Sequence, residues 1–326
     1  MEGFFDLAAQ NLLSPMVLFF ALGAFAALVR SDLAIPEQVA KAIALYLMFA
    51  IGFKGGAAVA ASGLNAELGL TALAGIVLGL VIPLIAYGLL SRTTRLERVN
   101  IAAIAAHYGS ISVVTFVAAG EAMKALNIES DGWIVAVMAV METPAIAAGL
   151  FLASRARAAS GTKLVTGHLL REVFVNGSIV LLMGAFAIGW ATGGKGMEAV
   201  KPFIDAPFKG VLCLFLLDMG IVAASRLRST RGLSIGLIAF GLYMPFISAA
   251  LGLGAAMLIG LGAGTGALFI TLCASASYIA VPAAMRLALP EANPAYYVTV
   301  SLAVTFPMNL VIGIPVYNAL AAQFLG

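Results

Sequence analysis

The chain has 326 residues, of which 62% are hydrophobic and 10% charged, and its formal net charge is +3. Soluble domains carry about 25% charged residues, so this composition excludes an ordinary soluble protein and indicates an integral membrane protein. The positive excess is small and lies on one side of the predicted membrane, so it indicates topology and not a nucleic-acid partner.

Long apolar runs recur along the whole chain, separated by charged residues or by glycines and prolines. A helix needs about 20 apolar residues to cross a bilayer, whereas barrel strands would alternate in polarity over short segments. The runs therefore predict an all-α membrane protein with ten transmembrane helices. The fourth and ninth runs are longer than one straight crossing needs. The predicted segments are 12–30, 38–58, 67–90, 99–125, 133–153, 172–192, 208–225, 232–252, 256–289 and 295–323.

The placement of lysines and arginines predicts the orientation of these helices. If the N-terminus lies outside, the inner loops carry 13 of the 18 basic residues, which is the bias that cytoplasmic loops show. Both termini are then periplasmic, in a bacterial inner membrane, and the loop 154–171 is cytoplasmic. The opening Met1–Asp6 has no basic residue, so the first segment is expected to be a retained helix and not a cleaved signal.

Three pairs of similar stretches indicate an internal repeat. Five predicted helices precede the linker 154–171 and five follow it. The second copy, 172–326, therefore enters the membrane from the side opposite to the first copy, 1–153. Such inverted pairs are common among secondary transporters. The paired stretches are 109–116 with 274–281 (GSISVVTF and ASASYIAV), 139–144 with 303–307, and 49–52 with 217–220.

The stretches 109–116 and 274–281 are predicted to break their helices. Gly109 weakens a helix, the Ser-x-Ser hydroxyls compete with backbone hydrogen bonds, and Pro282 fits the first turn of a second half-helix. Small residues and serines also serve helix packing alone, which is the alternative. The same hydroxyl spacing in both copies favours the breaks.

Two broken helices would place two helix N-termini opposite each other near the membrane midplane. Each terminus carries free backbone N–H groups and a partial positive charge, so together they form an anion site. Neither stretch contains an arginine, so the anion is expected to be small and reversibly held. The predicted hydroxyl donors are Ser110, Ser112, Ser275 and Ser277.

A coupling cation is expected to accompany the anion, and few ionisable residues lie within the predicted helices to serve it. Glu142, beside Thr143 and Pro144, is the favoured sodium ligand. A carboxylate, a hydroxyl and the carbonyl that the proline frees are the oxygen ligands that hard cations prefer. The other predicted cation ligands are Thr115 and the repeat-related residues Thr305 and Asn309.

Three further intramembrane polar residues have alternative roles. Asp218 either serves the cation or pairs with Lys54. His107 either makes a hydrogen bond between helices or acts as a proton-sensitive gate, because histidine changes charge near neutral pH. Polar residues of this kind in a membrane helix usually face a functional interior.

Six motifs follow one another along the chain: GFKGG (52–56), HYGSISVVTF (107–116), METPA (141–145), ASASYIAVP (274–282), PEANP (290–294) and TFPMN (305–309). In this order they resemble the sodium-dependent bicarbonate transporter family, the SbtA-type permeases, over nearly the whole chain. The resemblance implies ten helices in two inverted repeats, a core and a gate domain, and two broken helices crossing at the midplane. It also implies a homotrimer and sodium-coupled uptake of bicarbonate.

The resemblance implies bicarbonate binding where the two broken helices meet. The cyanobacterial members carry an acidic residue where this chain has Tyr278, and their mid-chain loop is longer than 154–171. The chain therefore resembles a non-cyanobacterial branch. The resemblance implies a PII-like regulator as a partner, but the short loop disfavours the docking of such a regulator. The substrate motif carries over to Gly109, Ser110, Ser112, Ser275 and Ser277, and Ile111, Ala274, Ala276 and Tyr278 complete the two stretches.

Other functions stand as alternatives. A sodium-coupled symporter of a small carboxylate is the nearest of them. An anion channel is disfavoured because the sequence has no ring of charge and no filter repeat. A membrane enzyme is disfavoured because there is no H-E-x-x-H motif, no paired membrane aspartates and no Ser/His/Asp grouping. No cofactor is expected beyond sodium as the coupling ion.

Overall fold

The computed structural model describes residues 12–158, 177–229, 233–278, 281–282, 285 and 289–326. All regular secondary structure in these residues is helical. The last helix, α11, contains two π-helical stretches, Thr299–Thr305 and Asn309–Gly313. The helices are α1 (Pro15–Leu28), α2 (Glu37–Ser62), α3 (Ala66–Thr93), α4 (Arg98–Gly109), α5 (Val113–Ala125), α6 (Ile134–Ala158), α7 (Gly177–Ile204), α8 (Phe208–Ser229), α9 (Ile235–Ile259), α10 (Ala263–Ala274) and α11 (Pro294–Phe324).

Local sequence signals account for several helix ends. The side chain of Asn65 caps α3 by accepting from the Leu68 N–H at 2.8 Å, which satisfies one of the donors that a helix N-terminus leaves free. At the other end of a helix, Gly260 follows α9 with φ 84°, a left-handed conformation that glycine adopts without a Cβ clash. These caps stop the helices within a long apolar sequence.

Each predicted segment overlaps an observed helix, and two of the differences in their ends lie at glycines. The sixth segment was expected to end at 192, yet α7 continues to Ile204 through a kink at Gly193, where φ is 56° and ψ is −141°. The ninth was expected to begin at 256, yet α9 extends to Ile259 and α10 begins at Ala263. The helix therefore continues past the glycine at position 193 but ends at the glycine at position 260.

Six helical stretches of the described chain are long and apolar enough to span a membrane, so the chain is a multi-pass membrane protein. Three shorter apolar helices lie at Pro15–Leu28, Ile134–Gly149 and Ala263–Ala274. Most of the predicted linker 154–171, and the first residues of the segment 172–192, lie outside the described residues. The spanning stretches are Glu37–Ser62, Ala66–Thr93, Arg98–Ala125, Phe208–Ser229, Ile235–Ile259 and Pro294–Phe324.

Four helices form a first group, the paired-helix group, in which α1 packs along α8 and α2 packs along α7. Both pairs approach closely through glycines. A Cβ on any of these glycines would overlap a backbone carbonyl of the partner helix, so small residues set the distance between the helices. The glycines are Gly23 in α1, Gly220 in α8, Gly52 and Gly56 in α2, and Gly189 in α7.

The remaining helices, α3 to α6 and α9 to α11, form a second group, the broken-helix group. The α4–α5 stretch lies at its centre, and 94% of the residues in its most apolar part are buried. In α3 and α9 only 28% and 33% of the corresponding residues are buried, so these two helices present apolar side chains at the surface. The arrangement places residues 109–113 in the interior, away from the lipid-facing surface.

Candidate functional site

The first Ser-x-Ser stretch interrupts a membrane helix. Helix α4 ends at Gly109, and Ser110 has the extended conformation φ −93°, ψ 148° before α5 begins at Val113. Gly109 is required by its surroundings, because a Cβ there would overlap the Pro83 ring and lie 2.8 Å from the Gly79 carbonyl oxygen of α3. The interruption lies where the sequence predicts it.

The second stretch interrupts α10 in nearly the same way. The helix ends at Ala274, and Ser275 has φ −83° and ψ 161°, close to the values of Ser110. Residues 275–277 have no helical structure, and the chain is helical again at Val281 and Pro282. The first serine of each stretch thus has the same extended conformation directly after a helix.

The two interruptions contact each other through reciprocal hydrogen bonds. The Ser112 N–H donates to Ser275 Oγ at 2.8 Å, and the Ser277 N–H donates to the carbonyl of His107, also at 2.8 Å. These two N–H groups were expected to face a ligand, but they instead join the two breaks. The hydroxyl-bearing residues Ser110, Ser112, Ser275 and Ser277 are all buried, with 4% exposure or less.

The sequence that forms these breaks matches a known protein family. The family model for the Na+-dependent bicarbonate transporter superfamily covers residues 15–322, nearly the whole chain. The chain belongs to that superfamily. A comparison with curated proteins finds no match. The members of the superfamily are described as Na+-dependent bicarbonate transporters.

Ser112 connects the first break to the helix that follows it. Its Oγ accepts from the Thr115 N–H at 3.2 Å and from Thr115 Oγ1 at 2.9 Å. Ser112 is therefore the N-cap of α5, which satisfies one of the free donors of the first turn. Thr115, predicted as a cation ligand, directs its hydroxyl to this cap and lies beside the break.

Glu142 of α6 lies at the first break. Its Oε1 is 3.4 Å from Ser110 Oγ, and its Oε2 has no hydrogen-bond partner among the described residues, although the side chain is buried. A buried carboxylate without compensation is costly, so the position favours a cation or a proton as its partner. The Thr143 side chain lies outside the described residues.

Thr305 and Asn309 of α11 contact the helices that precede the two breaks. Thr305 donates to the Gly241 carbonyl of α9 at 2.7 Å, so the Tyr108 hydroxyl at 2.6 Å donates to Thr305. Asn309 donates to the carbonyl of Ala274, the last residue of α10, at 2.9 Å. In the described structure no hydrogen bond joins either residue to Glu142, so the predicted cation ligands are divided between the two breaks.

The structure corrects two expectations for the other polar residues. Lys54 pairs with Asp205, which follows α7, and stacks over the Phe208 ring, so the proposed pairing of Lys54 with Asp218 is wrong. Asp218 is buried in α8. The sequence did not indicate Asp205, because the prediction ended that helix at 192.

His107 does not form the expected hydrogen bond between helices. Its Nδ1 lies 2.6 Å from the Ala103 carbonyl one turn earlier in the same helix, while Nε2 has no partner among the described residues. Its ring lies against that of Tyr297 in α11, with centroids 4.8 Å apart. The His107 carbonyl, rather than its ring, makes the contact with the second break.

A cavity of about 700 Å³ lies between the two helix groups on the side of residues 126–133. It is lined by α2, α7 and α8 of the paired-helix group and by α5, α6 and α10 of the broken-helix group, and it reaches Phe116 and Val117, which directly follow Thr115. We call it the vestibule. Its charged lining residues are Lys54, Glu121, Lys124, Glu129 and Asp131.

Apolar residues separate the vestibule from the breaks. A gap of only about 10 Å³ remains between α5 and the paired-helix group, lined by Met48, Val113, Val114, Leu212 and Phe215 among others. At the edge of the vestibule, Glu121 of α5 lies 3.6 Å from Lys209 of α8, an ion pair between the two groups. The serines of both breaks are buried in this structure.

Two site residues were missed by the sequence analysis. The Tyr317 hydroxyl donates to Asn309 Oδ1 at 2.7 Å, and Tyr108 contacts Thr305 as described. Tyr108 was inside a quoted motif, and its position beside Gly109 was the available signal. Tyr317 follows Asn309 by eight residues and faces it across the π-helical stretch Asn309–Gly313, whose wider turn no sequence pattern indicated.

Proposed function

We propose that the chain is a secondary active transporter, and not an enzyme, that couples sodium to the uptake of bicarbonate or a similar small anion. The anion binds where the two breaks cross. The observation that carries the proposal is the reciprocal contact of the breaks through Ser112 with Ser275 and Ser277 with His107. This contact brings the start of α5, with its free N–H groups and partial positive charge, into the protein interior.

Sodium coupling is supported by the chemistry around Glu142. The carboxylate has a buried oxygen without a partner in the described structure, and the Ser110 hydroxyl lies beside it. Among the described residues, no three His, Cys, Asp or Glu side chains cluster to hold a metal ion. A sodium ion at this position would therefore take its other ligands from hydroxyl and carbonyl oxygens, which suits a hard cation.

The inverted repeat is supported by equivalent glycine contacts. Gly52 and Gly220, which the sequence pairs with each other, meet the carbonyls of Leu182 and Phe20 in the two partner helices. We infer two five-helix repeats, with the paired-helix group as the gate domain and the broken-helix group as the core domain. Alternating access then takes place by movement of one group against the other. We also propose, from the family resemblance, that the protein forms a homotrimer.

The second candidate is a sodium-coupled symporter of a small carboxylate. The observation that favours it is Tyr278, which follows the second serine pair and provides a neutral side chain at the second break. A carboxylate and bicarbonate share a planar group with two acceptor oxygens. The hydroxyls of the breaks suit both anions.

Uptake into proteoliposomes tests the proposal. We expect labelled bicarbonate to accumulate when an inward sodium gradient is imposed, at alkaline pH and short times so that little carbon dioxide crosses the bilayer. A potassium gradient of the same size and protein-free liposomes are the controls. Accumulation of formate or acetate but not of bicarbonate would select the second candidate, and sodium-independent flux of either would overturn the coupling.

The orientation proposed from the basic residues has a separate test. With both native cysteines, Cys213 and Cys273, replaced, a single cysteine at Ser160 is expected to resist an impermeant thiol reagent in intact cells. A cysteine at Gly326 is expected to react. Labelling of position 160 from outside would reverse the topology and remove the support for a periplasmic C-terminus.

A further inference from the structure

The carboxylate of Glu121 lies at the boundary between the two helix groups. It belongs to α5, the helix that begins at the first break, and its side chain is 10% exposed. One oxygen, Oε1, lies 2.8 Å from the ammonium of Lys124 in the same helix. The other oxygen, Oε2, lies 3.6 Å from the ammonium of Lys209, at the start of α8 in the paired-helix group. The same carboxylate thus has one partner on its own helix and one in the other group.

Two cavities adjoin at Glu121. The vestibule is one of them, and the other is a cavity of about 190 Å³ that is lined by both Glu121 and Lys209. This second cavity lies between α1 and α8 of the paired-helix group and α5 and α11 of the broken-helix group. The ion pair of Glu121 with Lys209 therefore connects the two groups at a place where cavities separate much of the surrounding protein.

A narrow gap leads from the vestibule towards the first break. Ile51 and Val117 line both the vestibule and the gap, and Val113, which also lines the gap, directly follows Ser112. The residues that line the gap are all apolar, and its volume of about 10 Å³ is the space of one water molecule at most. An anion that passes from the vestibule to the breaks by this route needs α5 to move away from α2 and α8.

The ion pair lies one turn beyond this gap on both helices. Glu121 follows Val117 on the same face of α5, and Lys209 precedes Leu212 of the gap on the same face of α8. Separation of α5 from α8 therefore breaks the ion pair with Lys209, whereas Lys124 moves together with Glu121. Because the carboxylate is largely buried, the loss of a partner leaves charge without compensation and opposes the separation.

We propose that the ion pair of Glu121 with Lys209 is a latch that holds α5 against α8 and so limits access from the vestibule to the first break. The inference rests on the proposed function, because the gap is a route for the anion only if the anion binds at the breaks. The latch opens when the anion passes, while the ion pair of Glu121 with Lys124 stays intact.

Thiol labelling of a cysteine in the gap tests the latch without a transport measurement. Both native cysteines, Cys213 and Cys273, are replaced, and Val114→Cys provides the reporter, because Val114 lines the gap but not the vestibule. In this purified protein, Lys209→Met removes the charge and keeps a long side chain. We expect it to raise the rate of labelling by a hydrophilic thiol reagent about fivefold, the factor for an ion pair that is partly exposed.

Lys124→Met is the matched control. It removes the shorter ion pair of the same carboxylate but leaves the contact between the groups in place, so the labelling rate of Val114→Cys is expected to stay the same. Lys209→Arg retains the positive charge and is expected to preserve the slow labelling. Glu121→Gln is expected to accelerate labelling as Lys209→Met does, and the two changes together are expected to add nothing further, because both remove one contact.

The outcomes distinguish this inference from the function on which it rests. An unchanged labelling rate in Lys209→Met, or an equal rise in Lys124→Met, would overturn the latch and leave the proposed function in place. A cysteine at Ser248, which is buried in α9 away from the gap, reports general loosening, and faster labelling there in Lys209→Met would also overturn the latch. If labelling follows the latch but the unaltered protein transports no anion in proteoliposomes, the proposed function is wrong and the latch stands as the contact that holds α5 against α8.

Discussion

The two helix breaks have nearly the same backbone but different chemistry. Ser110 and Ser275 share an extended conformation directly after a helix, and each break donates one N–H to the other. The first break has a carboxylate beside it, Glu142, whereas the second has the amide of Asn309. The two breaks thus share a chain path, but among the described residues a carboxylate lies beside only the first of them.

This difference places the candidate cation ligand at the first break only, whereas the anion is proposed to bind where both breaks meet. A buried carboxylate attracts a cation, and a break that offers only neutral donors attracts an anion. The asymmetry also extends to the residue before each first serine, which is Gly109 in one break and Ala274 in the other. Three sets of substitutions test the comparison.

The largest effect is expected for Gly109→Ala. The new Cβ would overlap the Pro83 ring of α3, and a clash with a rigid ring in a packed interior shifts the backbone and costs about 1–3 kcal/mol or more. We expect a lower melting temperature and loss of transport. Gly120→Ala is the control, because no atom lies within 4 Å of a Cβ there.

The reverse change at the equivalent position, Ala274→Gly, is expected to be milder. Only a methyl group is removed, and the carbonyl that accepts from Asn309 stays in place. A loss of stability as large as that of Gly109→Ala would show that the two breaks are under the same steric constraint, contrary to the comparison.

Glu142→Gln is expected to have the next largest effect. It preserves the shape of the side chain and removes its charge, so the sodium concentration for half-maximal uptake should rise by about tenfold or more. The KM for the anion at saturating sodium should change little. Sodium titrations of uptake measure both. Unchanged sodium dependence would exclude a coupling role for this carboxylate and make Asp218 the next candidate.

Asn309→Ala at the second break provides the contrast. The amide joins the Ala274 carbonyl to the Tyr317 hydroxyl, so its removal leaves two buried groups unpaired. We expect a lower melting temperature without a selective change in sodium dependence. If Asn309→Ala instead affected sodium dependence as strongly as Glu142→Gln, the division of roles between the breaks would be wrong.

The smallest effects are expected for single serine substitutions. Ser112→Ala and Ser277→Ala should each weaken anion affinity several-fold, because one neutral hydrogen bond contributes about 0.5–1.5 kcal/mol. Ser112→Ala should also lower the melting temperature, because it removes the N-cap of α5, a loss of about 1 kcal/mol. Ser248→Ala in α9, which removes a buried hydroxyl without a partner in the described structure, is the control. Equal anion affinities in Ser112→Ala, Ser277→Ala and Ser248→Ala would contradict the proposed anion site.

The helices and the breaks were predictable because they depend on local sequence. Apolar runs indicate membrane helices directly, and the Gly-Ser-x-Ser pattern at 109–112 weakens a helix wherever it occurs. For Gly52 and Gly220, the sequence indicated only that the two short stretches that contain them are similar. Their physical role, close approach to a partner carbonyl, required the structure.

The details of the site were not predictable because they depend on how the helices cross. The pairing of Lys54 with Asp205 needs a helix that continues through Gly193, which the run of glycines concealed. Likewise, the hydrogen bond from Ser112 N–H to Ser275 Oγ depends on how the two breaks, which are far apart in sequence, are placed against each other. The sequence predicted which residues meet, but not which of their donors would be used.

The reciprocal hydrogen bonds between the breaks also have a mechanical consequence. Because Ser112 is tied to Ser275 and Ser277 to His107, the two broken helices cannot separate without losing both buried bonds at once. A force applied to α5 is therefore passed to α10 with little deformation between them. We therefore expect the two broken helices to move together as one rigid body in the proposed transport cycle, with sliding at the apolar boundary between the broken-helix group and the paired-helix group.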